Sequence, residues 1–397
     1  MIFRRPALSP DDLRVLDEIA ALRDELADAL AAPRRWTGRL RRTALARAIR
    51  GSNSIEGYQV ELDDADAALD DDAPLTADQR TFAEIQGYRQ ALGYVLAMAT
   101  DPQFRTDTTA LRSMHFMMLA HDLSKSPGQY RPGDIYVRDD RSNRTVYRGP
   151  AAADVPALMD ELVADLARPD AEDPLVAAAM AHLNLVMIHP FRDGNGRMAR
   201  AVQTLVLARG GVAEPEFASI EEWLGANTDD YYRVLAATGH DTWDPAGDAG
   251  LWVSFNLRAH HMQAQTVRSR WRRAQRTYEL LDALLTTELA HHHLPDRTLD
   301  ALYTATLGFR LRRSPYASQT GTDSRTASRD LKALVDAGLL RPVGATKGRH
   351  YVLGPQLDAV RTEVGPDDPV TDPYPHLLVD LARAYSTQLV DTSAAGQ

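Results

Sequence analysis

Cysteine is absent from the sequence. Its absence excludes disulfide bonds, thiolate metal sites, iron–sulfur clusters and cysteine nucleophiles. Long apolar runs are absent as well, because no stretch of 18 apolar residues occurs. The two arginines near the start are not followed by the apolar segment of a signal peptide. The expected location is therefore the cytoplasm, with no membrane segment.

An excess of positive charge is also absent. The chain carries a net charge of −10, which argues against nucleic-acid binding over the whole surface. The charge is unevenly distributed, since residues 256–353 contain 16 Lys and Arg against 8 Asp and Glu, a net of +8, and the rest carries −18. With 397 residues, 44% of them hydrophobic, the chain is long enough for two or three domains with proper cores.

The spacing of apolar residues predicts a mostly α protein. Leucines and isoleucines from Leu13 to Leu30 recur every three or four positions, so a helix is expected there with Ser9 as its N-cap. A second helix is expected over 36–55, ending near Gly57. The acidic stretch 63–74 is interpreted as a solvated connector.

Two further stretches have distinct patterns. Residues 128–150 alternate β-branched and aromatic residues with polar ones around DDRSN, which predicts a β-hairpin. Residues 174–188 are apolar nearly all round, which predicts a buried central helix. A loop of glycines and charged residues follows it, and a second apolar helix follows that loop.

Residues 278–353 predict two helices, then a capped helix at Thr322–Ala337 and two short strands around a Gly and Lys turn. This order resembles a winged helix. A DNA-facing surface over residues 256–353 is one interpretation, and its candidate residues are Ser324, Arg325, Thr326, Ser328 and Arg329. The other interpretation is a unit for protein contacts, including a homodimer. The Arg-rich stretch 268–276 is either a solvated helix face or part of the DNA surface.

The loop HPFRDGNGR, from His189 to Arg197, combines several chemical groups. Its two glycines, 194 and 196, permit positive φ and close backbone approach, so successive N–H groups can form an anion nest where the next helix begins. His189 supplies a base that titrates near neutral pH, and Asp193 is a hard oxygen ligand suited to Mg²⁺. Arg197 and Arg200 lie three positions apart and can reach bound phosphates. Together these groups indicate phosphoryl or nucleotidyl transfer.

This stretch resembles the signature of the Fic (Fido) family, HPFx[DE]GNGRxxR, at every fixed position. The hairpin with Gly128-Gln129-Tyr130-Arg131 is similar to that family's target-docking flap. The resemblance implies a Fido helical core over 106–256. It also implies a protein adenylyltransferase, which transfers AMP from ATP to a Ser, Thr or Tyr hydroxyl of a target protein.

The resemblance also implies a role for each residue of the loop. His189 would deprotonate the target hydroxyl, and Asp193 would hold Mg²⁺ on the α- and β-phosphates. Gly194, Asn195 and Gly196 would form the anion hole, with Arg197 on the β-phosphate side and Arg200 on the γ-phosphate. Phe191 would anchor the loop in the core. Tyr232 is the choice for a residue near the adenine, and packing of both Tyr231 and Tyr232 is the alternative.

A second motif lies at the end of the second predicted helix. Ser52-Asn53-Ser54-Ile55-Glu56-Gly57 resembles the inhibitory motif [ST]xxxE[GN] of many Fic proteins. A Glu56 carboxylate on Arg200 would occupy the guanidinium that the γ-phosphate needs, so ATP would bind misaligned. Ser52 and Gly57 complete this regulatory set. Glu56 is also a candidate for aligning a water that removes the same nucleotide.

The predicted domains are an N-terminal helical region (1–105), the Fido core (106–256), a connecting helix with the winged-helix-like unit (257–354) and a C-terminal tail (355–397). Two alternatives to adenylyl transfer stay open. Some relatives move phosphate, UMP or phosphocholine with the same loop, and a DNA-binding regulator could use the site only to sense ATP. Among the other histidines, His182 is interpreted as a packed core residue, the pair 260–261 as surface and the run 291–293 as a helix end.

Overall fold

In the computed structural model of this chain, the described residues are 1–31, 34–138, 145–168, 173–212, 215–287, 294–345 and 348–394. Helices dominate them, as the apolar periodicity predicts. In chain order the helices are α1 (Pro10–Ala31), α2 (Thr37–Ile55), α3 (Leu62–Leu69), α4 (Gln79–Ala99), α5 (Thr108–Leu119), α6 (Val155–Leu166), α7 (Pro174–Ile188), α8 (Asn195–Arg209), α9 (Pro215–Ala218), α10 (Glu221–Ala226), α11 (Thr228–Gly239), α12 (Gly250–Thr287), α13 (Thr298–Thr306), α14 (Arg313–Thr320), α15 (Ser324–Asp336), α16 (Pro355–Val364) and α17 (Leu377–Ala394).

The helix ends follow local capping chemistry. Asp12 Oδ2 accepts from the Ser9 backbone N–H at 2.9 Å, and Ser9 Oγ accepts from the Asp12 N–H at 3.1 Å. This reciprocal pair is a capping box and confirms that α1 begins after Ser9. Helix α2 ends where Gly57 adopts a φ of +84°, again as predicted.

The acidic stretch 63–74 does not form a solvated connector. Most of its first half belongs to α3, and Asp64 is fully buried. The Asp64 carboxylate accepts hydrogen bonds from the backbone N–H groups of Leu75 and Ala77 and from the Thr76 hydroxyl. The prediction of a connector was wrong because a buried aspartate that satisfies a turn has the same sequence pattern as an exposed one.

Two antiparallel strand pairs accompany the helices in the described residues. Strands β1 (Tyr136–Arg138) and β2 (Thr145–Arg148) form the expected hairpin, and its predicted turn at 139–143 lies outside the described residues. Strands β3 (Leu340–Val343) and β4 (His350–Leu353) pair in the C-terminal third. Leu311 and Tyr351 exchange two backbone hydrogen bonds, so a single residue outside the named strands also pairs with β4.

Helix α7 is the central helix that the sequence predicts, since nearly all of its residues are buried. It packs against α8, and the loop between them lies over α4 and α5. A second apolar cluster surrounds the other side of α7 with residues of α11 and α12. The loop therefore stands between two packed helices that hold its ends in place.

The C-terminal third has its own apolar cluster, built from α13, α15, β3 and neighbouring residues. The element order of three helices followed by a strand pair agrees with the predicted order, and the winged-helix assignment stays a prediction. Helices α16 and α17 lie in the stretch that was expected to be a tail, and Leu381 of α17 is buried against the second cluster. Within the described ranges no helix is long and apolar enough to cross a membrane.

Candidate active site

The loop between α7 and α8 is bounded by two residues with left-handed backbone. His189 ends α7 with φ +51°, and Gly194 precedes α8 with φ +74°. A positive φ is costly for a histidine, so the surrounding contacts must hold it there. The conformation of the loop is therefore maintained by tertiary contacts and not by local backbone preference alone.

His189 is oriented by its own helix. Its Nδ1 lies 3.2 Å from the carbonyl oxygen of Val186, and because a carbonyl only accepts, Nδ1 carries the proton. The other nitrogen, Nε2, is left with a lone pair. Burial lowers the pKa of His189 to about 4, although the bond to Val186 works in the opposite direction. The imidazole is therefore neutral, and able to accept a proton, at neutral pH.

Arg131 ties the loop to the hairpin. Its guanidinium donates to three carbonyl oxygens, those of His189 at 2.8 Å, Gly133 at 2.8 Å and Pro150 at 2.6 Å. Its backbone N–H donates to the Pro190 carbonyl at 2.9 Å. One buried side chain thus joins the strained histidine to both ends of the hairpin, residues 133 and 150.

Phe191 anchors the loop in the core, as the resemblance implies. Its side chain is fully buried and stacks on His115 with the ring centres 3.7 Å apart. His115 Nδ1 accepts from the Gly128 N–H at 2.8 Å, so Nε2 carries the proton and donates to the Asp193 carbonyl at 2.9 Å. His115 therefore links the loop to the start of the hairpin.

Asn195 differs from expectation in what its side chain does. The side chain makes two hydrogen bonds of 2.9 Å to the backbone N–H and carbonyl of Phe191, so it closes the loop instead of facing a ligand. The backbone N–H groups of residues 195–197 have no acceptor among the described residues. These three donors lie at the start of α8, where an anion is favoured.

Asp193 carries two contacts in this structure. Oδ1 accepts from the Gly194 N–H at 2.7 Å, and Oδ2 is paired with the Lys125 ammonium at 2.8 Å. Burial acts to raise the pKa of Asp193, but the ion pair with Lys125 outweighs it and the pKa is lowered. The carboxylate is ionised and in position to meet a cation.

Arg197 is committed to a buried glutamate of α4. Its Nη1 lies 2.7 Å from Glu84 Oε2, and both side chains are about 1% exposed. The guanidinium also stands 5.4 Å from the centre of the Tyr58 ring. Glu84 additionally accepts from Lys125 and from the Tyr58 hydroxyl, at 2.6 and 3.0 Å. Burial acts to raise the pKa of Glu84, but Lys125 and Arg197 outweigh it and lower the pKa to about 2.

Arg200 meets the second motif. Its Nη2 lies 2.7 Å from Glu56 Oε1, its Nε donates to Ser52 Oγ at 2.7 Å, and Nη2 also donates to the Ser52 carbonyl at 3.0 Å. The arginine is fully buried, and Glu56 raises its pKa although burial opposes this. Residues 148 positions apart in the sequence are thus brought together as the motif resemblance implies.

Glu56 also covers the nest. A Cβ added to Gly196 would collide with Glu56 Oε1 and come within 3.2 Å of Arg200 Nη1. Only glycine leaves room for an acidic group this close to the start of α8. Two buried guanidinium nitrogens beside it, Arg197 Nε and Arg200 Nη1, have no hydrogen-bond partner among the described residues. The region is built for more negative charge than Glu56 alone supplies.

The alternative that both tyrosines are packing residues holds for Tyr231 but not for Tyr232. Tyr231 is buried and its hydroxyl lies 2.9 Å from His182 Nε2, so Tyr231 is a packing residue. Tyr232 is half exposed, and its hydroxyl donates to the Ile55 carbonyl at 3.1 Å, next to Glu56. His182 is a fully buried core histidine as interpreted, whereas His260 and His261 are buried and not on the surface. The run 291–293 lies outside the described residues.

Sequence reasoning missed four residues of this site. They come from four separate segments: Glu84, His115, Lys125 and Arg131. Arg131 belongs to the quoted GQYR stretch, so its position could have been noted. Glu84 and Lys125 carry no spacing signal, because each is defined only by a contact with the distant loop.

The comparisons with known proteins agree with this geometry. Residues 105–207 match the Fic/DOC family. Among curated proteins, "Protein adenylyltransferase Fic" of Nematostella vectensis is 28% identical over 256 residues, covering 64% of this chain and 55% of that protein. The protein of the same name from Drosophila mojavensis is 30% identical over 211 residues, covering 51% of this chain and 40% of that protein. The chain thus spans about half the length of these relatives, or less.

Solved structures give the same result. A Fic family protein from Desulfovibrio desulfuricans is similar with a TM-score of 0.56 and 25% identity, over 89% of this chain and 99% of that protein. A Fic domain containing signaling protein from Bacteroides thetaiotaomicron shares the fold, with a TM-score of 0.50 and 19% identity, over 65% of this chain and 97% of that protein. The part of the chain that matches the Fic/DOC family, residues 105–207, includes the His189–Arg200 loop near its C-terminal end.

Proposed function

We propose that this protein is an adenylyltransferase that moves AMP from ATP to a Ser, Thr or Tyr hydroxyl of a target protein. The observation that carries the proposal is that one short loop joins the neutral His189, with its Nε2 lone pair, to the free N–H groups at the start of α8. Relatives at 28% and 30% identity bear the name protein adenylyltransferase. General base, anion nest and cation are the parts that nucleotidyl transfer requires.

In the proposed reaction, the target hydroxyl oxygen attacks the α-phosphorus of ATP. Its proton passes to His189 Nε2, and the bond between the α-phosphorus and the bridging oxygen breaks, so pyrophosphate leaves. The free N–H groups of residues 195–197 stabilise the phosphate oxygens, whereas the Gly194 N–H is already bound to Asp193. Arg200 binds the γ-phosphate. Arg197 stays paired with Glu84 and offers its free Nε toward the β-phosphate side.

The donor set at Asp193 fits a magnesium ion that arrives with its nucleotide. No group of three or more His, Asp or Glu among the described residues forms a protein-only metal cage. Mg²⁺ is commonly held by one or two carboxylates together with substrate phosphates, and Asp193 supplies one such oxygen. When bound, the ion neutralises charge on the α- and β-phosphates.

The same proposal includes autoinhibition by Glu56. Its carboxylate holds Arg200 and lies over Gly196, so the γ-phosphate and Glu56 compete for one guanidinium and one space. ATP then binds with its α-phosphate out of line, and a misplacement of about 1 Å costs on the order of 100-fold in rate.

Intact-mass analysis tests the activity. The Glu56→Gly protein is incubated with ATP and Mg²⁺ and with lysate, and we expect an increment of about 329 Da on modified chains, the mass that AMP adds. His189→Ala in the Glu56→Gly background is the control that must abolish it. A different increment would identify phosphate, UMP or phosphocholine transfer instead, and no increment on any protein would refute transfer.

Removal of AMP is the second half of the proposal. Glu56 stands close enough to the nest to align a water there. Modified target is incubated with the unaltered protein and with Glu56→Gly in parallel. Release of AMP by the unaltered protein alone supports this role, and equal release by both contradicts it.

A second candidate function, DNA binding, is favoured by one observation. The arginines of α12 are partly exposed to solvent, but Arg270, Arg272, Arg273 and Arg276 are already paired with carboxylates of other segments. In contrast, the described carboxylates form no ion pair with five arginines between α14 and β4: Arg313, Arg325, Arg329, Arg341 and Arg349. The winged-helix-like unit therefore carries positive charge that no described carboxylate balances.

A gel shift with the full chain tests this second function. Replacing both Arg325 and Arg329 with alanine should weaken duplex binding and reduce its salt dependence, with the logarithmic slope falling by about 1 per lost phosphate contact. Arg276→Ala is the matched control, because that exposed arginine already pairs with Glu363. Absence of salt-dependent binding by the unaltered protein would exclude a DNA-binding role.

A further inference from the structure

Lysine is rare in this chain, and one of its few lysines lies in the site. Only Lys125, Lys332 and Lys347 occur among 45 basic residues. Lys125 ends a short 3₁₀ turn, Leu123–Lys125, which follows α5. An arginine offers a broad fork of donors, whereas a lysine ammonium is a compact point charge. Lys125 therefore places a compact positive charge in the site, which resembles a small cation more than an arginine would.

The Lys125 ammonium stands between two carboxylates. It lies 2.6 Å from Glu84 Oε1 and 2.8 Å from Asp193 Oδ2, and its side chain is 13% exposed. These pairs raise the pKa of Lys125, although burial opposes this, so it stays charged. Asp193 is the residue proposed above to meet the metal ion.

Glu84 has a second cation besides Lys125 for its neutralisation. Arg197 already forms a buried ion pair with it, and the Tyr58 hydroxyl and His121 Nε2 lie within 3.2 Å of the other oxygen. Glu84 therefore also holds the Lys125 ammonium in place beside Asp193. Because Arg197 pairs with Glu84, the second positive charge, that of Lys125, is available to the Asp193 carboxylate.

A divalent ion at the same oxygen would lie beside the ammonium. Mg²⁺ requires an oxygen at 2.0–2.1 Å, and the second Asp193 oxygen is already engaged by the Gly194 N–H. Two cations on one carboxylate repel each other, and the repulsion is stronger at this partly buried pair than in bulk water. The ammonium must move away from Asp193, or the ion must bind at reduced affinity.

We propose that Lys125 is the internal counter-ion of Asp193, which a divalent metal ion must displace, so that Lys125 sets the metal concentration at which the site loads. This inference rests on the proposed function of the site. Lys125 acts through Asp193 and is therefore a positioning residue. It makes nucleotide loading dependent on a threshold of free metal, independently of the contact between Glu56 and Arg200.

The test measures metal affinity directly. Mn²⁺ binding is followed by electron paramagnetic resonance in the presence of a non-hydrolysable ATP analogue, with all variants made in the Glu56→Gly background. We expect Lys125→Met to tighten Mn²⁺ binding by about tenfold, the effect of removing one competing charge in a partly buried site. Lys125→Arg, which retains the charge, should bind Mn²⁺ like the background protein. Lys332→Met is the matched control, because Lys332 pairs with Asp336 on the remote surface of α15.

A second measurement needs no substitution of Lys125. An amine-acylating reagent followed by peptide mass spectrometry reports the reactivity of each of the three lysines in the background protein. Mn²⁺ with the analogue should increase labelling of Lys125 and leave that of Lys332 unchanged. Equal or weaker Mn²⁺ binding by Lys125→Met, or unchanged labelling of Lys125 while Mn²⁺ binds, would overturn the inference alone. If the background protein binds no Mn²⁺ with the analogue, the proposed function falls with it.

Discussion

Helix α8 carries two arginines three positions apart, and each is paired with one glutamate from the N-terminal helices. On the α4 side, Arg197 and Glu84 are both about 1% exposed. On the α2 side, Arg200 is fully buried but Glu56 is 25% exposed. The two ion pairs have equal lengths of 2.7 Å, so geometry alone does not distinguish them.

Their surroundings differ instead. Glu84 lies within a helix and has four partners, whereas Glu56 is the C-cap of α2 and Arg200 is its ion-pair partner. A buried carboxylate with many partners cannot be exchanged for solvent or ligand without leaving several groups unsatisfied. The comparison favours the Glu84 pair as a permanent part of the fold, and under the proposed function the Glu56 pair is the one that a phosphate would replace.

The largest effect is expected from Glu84→Ala. Removing one partner of a buried ion pair leaves Arg197 uncompensated and should reduce the free energy of unfolding by about 3–5 kcal/mol. Denaturant titration measures it, with the exposed Glu61→Ala as the control. The loss should shrink as the pH falls from 4.5 toward 2, because the lowered pKa of Glu84 stabilises the protein only where the carboxylate stays ionised. A loss below about 1 kcal/mol would mean that both pairs are equally dispensable.

Glu56→Gly should have a smaller structural effect of about 1–2 kcal/mol, because Ser52 still bonds Arg200 and solvent reaches the vacated space. ATP should compensate for this loss. Thermal unfolding with and without nucleotide measures it, and the rise in Tm on adding ATP should be larger for Glu56→Gly than for the unaltered protein. An equal rise in both would show that the phosphates do not use the place of Glu56.

The pH dependence of His189 sharpens the comparison, since Glu56 and not Glu84 acts on it. The pKa of His189 lies near 4 because of burial, and Glu56 raises it by its charge. The acid limb of kcat/KM should therefore fall well below pH 6.5, and further still in Glu56→Gly. Because the unfolded chain takes up the proton first, stability should decline as the pH falls from about 6.5 to 4. Nitrogen-15 NMR of the imidazole gives the pKa directly, and protonation near pH 6.5 would contradict the structure.

The smallest effect is expected from Tyr232→Phe. The variant loses a hydrogen bond to the Ile55 carbonyl at the end of α2, which is worth about 1 kcal/mol. The aromatic ring remains, so nucleotide affinity should change by less than about twofold. Isothermal titration with an ATP analogue measures the affinity. A larger loss would assign the hydroxyl itself to nucleotide binding.

The local parts of the fold and site could be predicted from the sequence. The Ser9 cap, the apolar helix α7 and the loop from His189 to Arg200 are all properties of consecutive residues. The pairing of Glu56 with Arg200 was predicted because both residues belong to motifs. The role of the Asn195 side chain was not predicted, because the same residue can face a ligand or close its own loop.

The partners of charged residues were beyond prediction. The acidic stretch 63–74 was expected to be a solvated connector, but its Asp64 is buried. The arginines of α12 were expected to form a solvated face or part of a DNA surface, and the sequence did not indicate that they pair with carboxylates of other segments. Glu84 and Lys125 entered the site without any spacing signal. Whether a charged side chain faces solvent, a ligand or another charge depends on which distant segment packs against it. The order of residues around that side chain does not give this information.

The sequence by itself determined the set of candidate groups, because a histidine, an aspartate, two glycines and two arginines within 12 residues are fixed by covalent order. Only the tertiary structure decided which of these groups are already engaged. Packing α2, α4 and the turn after α5 around α8 brings Glu56, Glu84 and Lys125 to the loop. The physical reason is that the strength and exchangeability of an ion pair depend on burial and on the number of partners, and both arise only when distant segments meet.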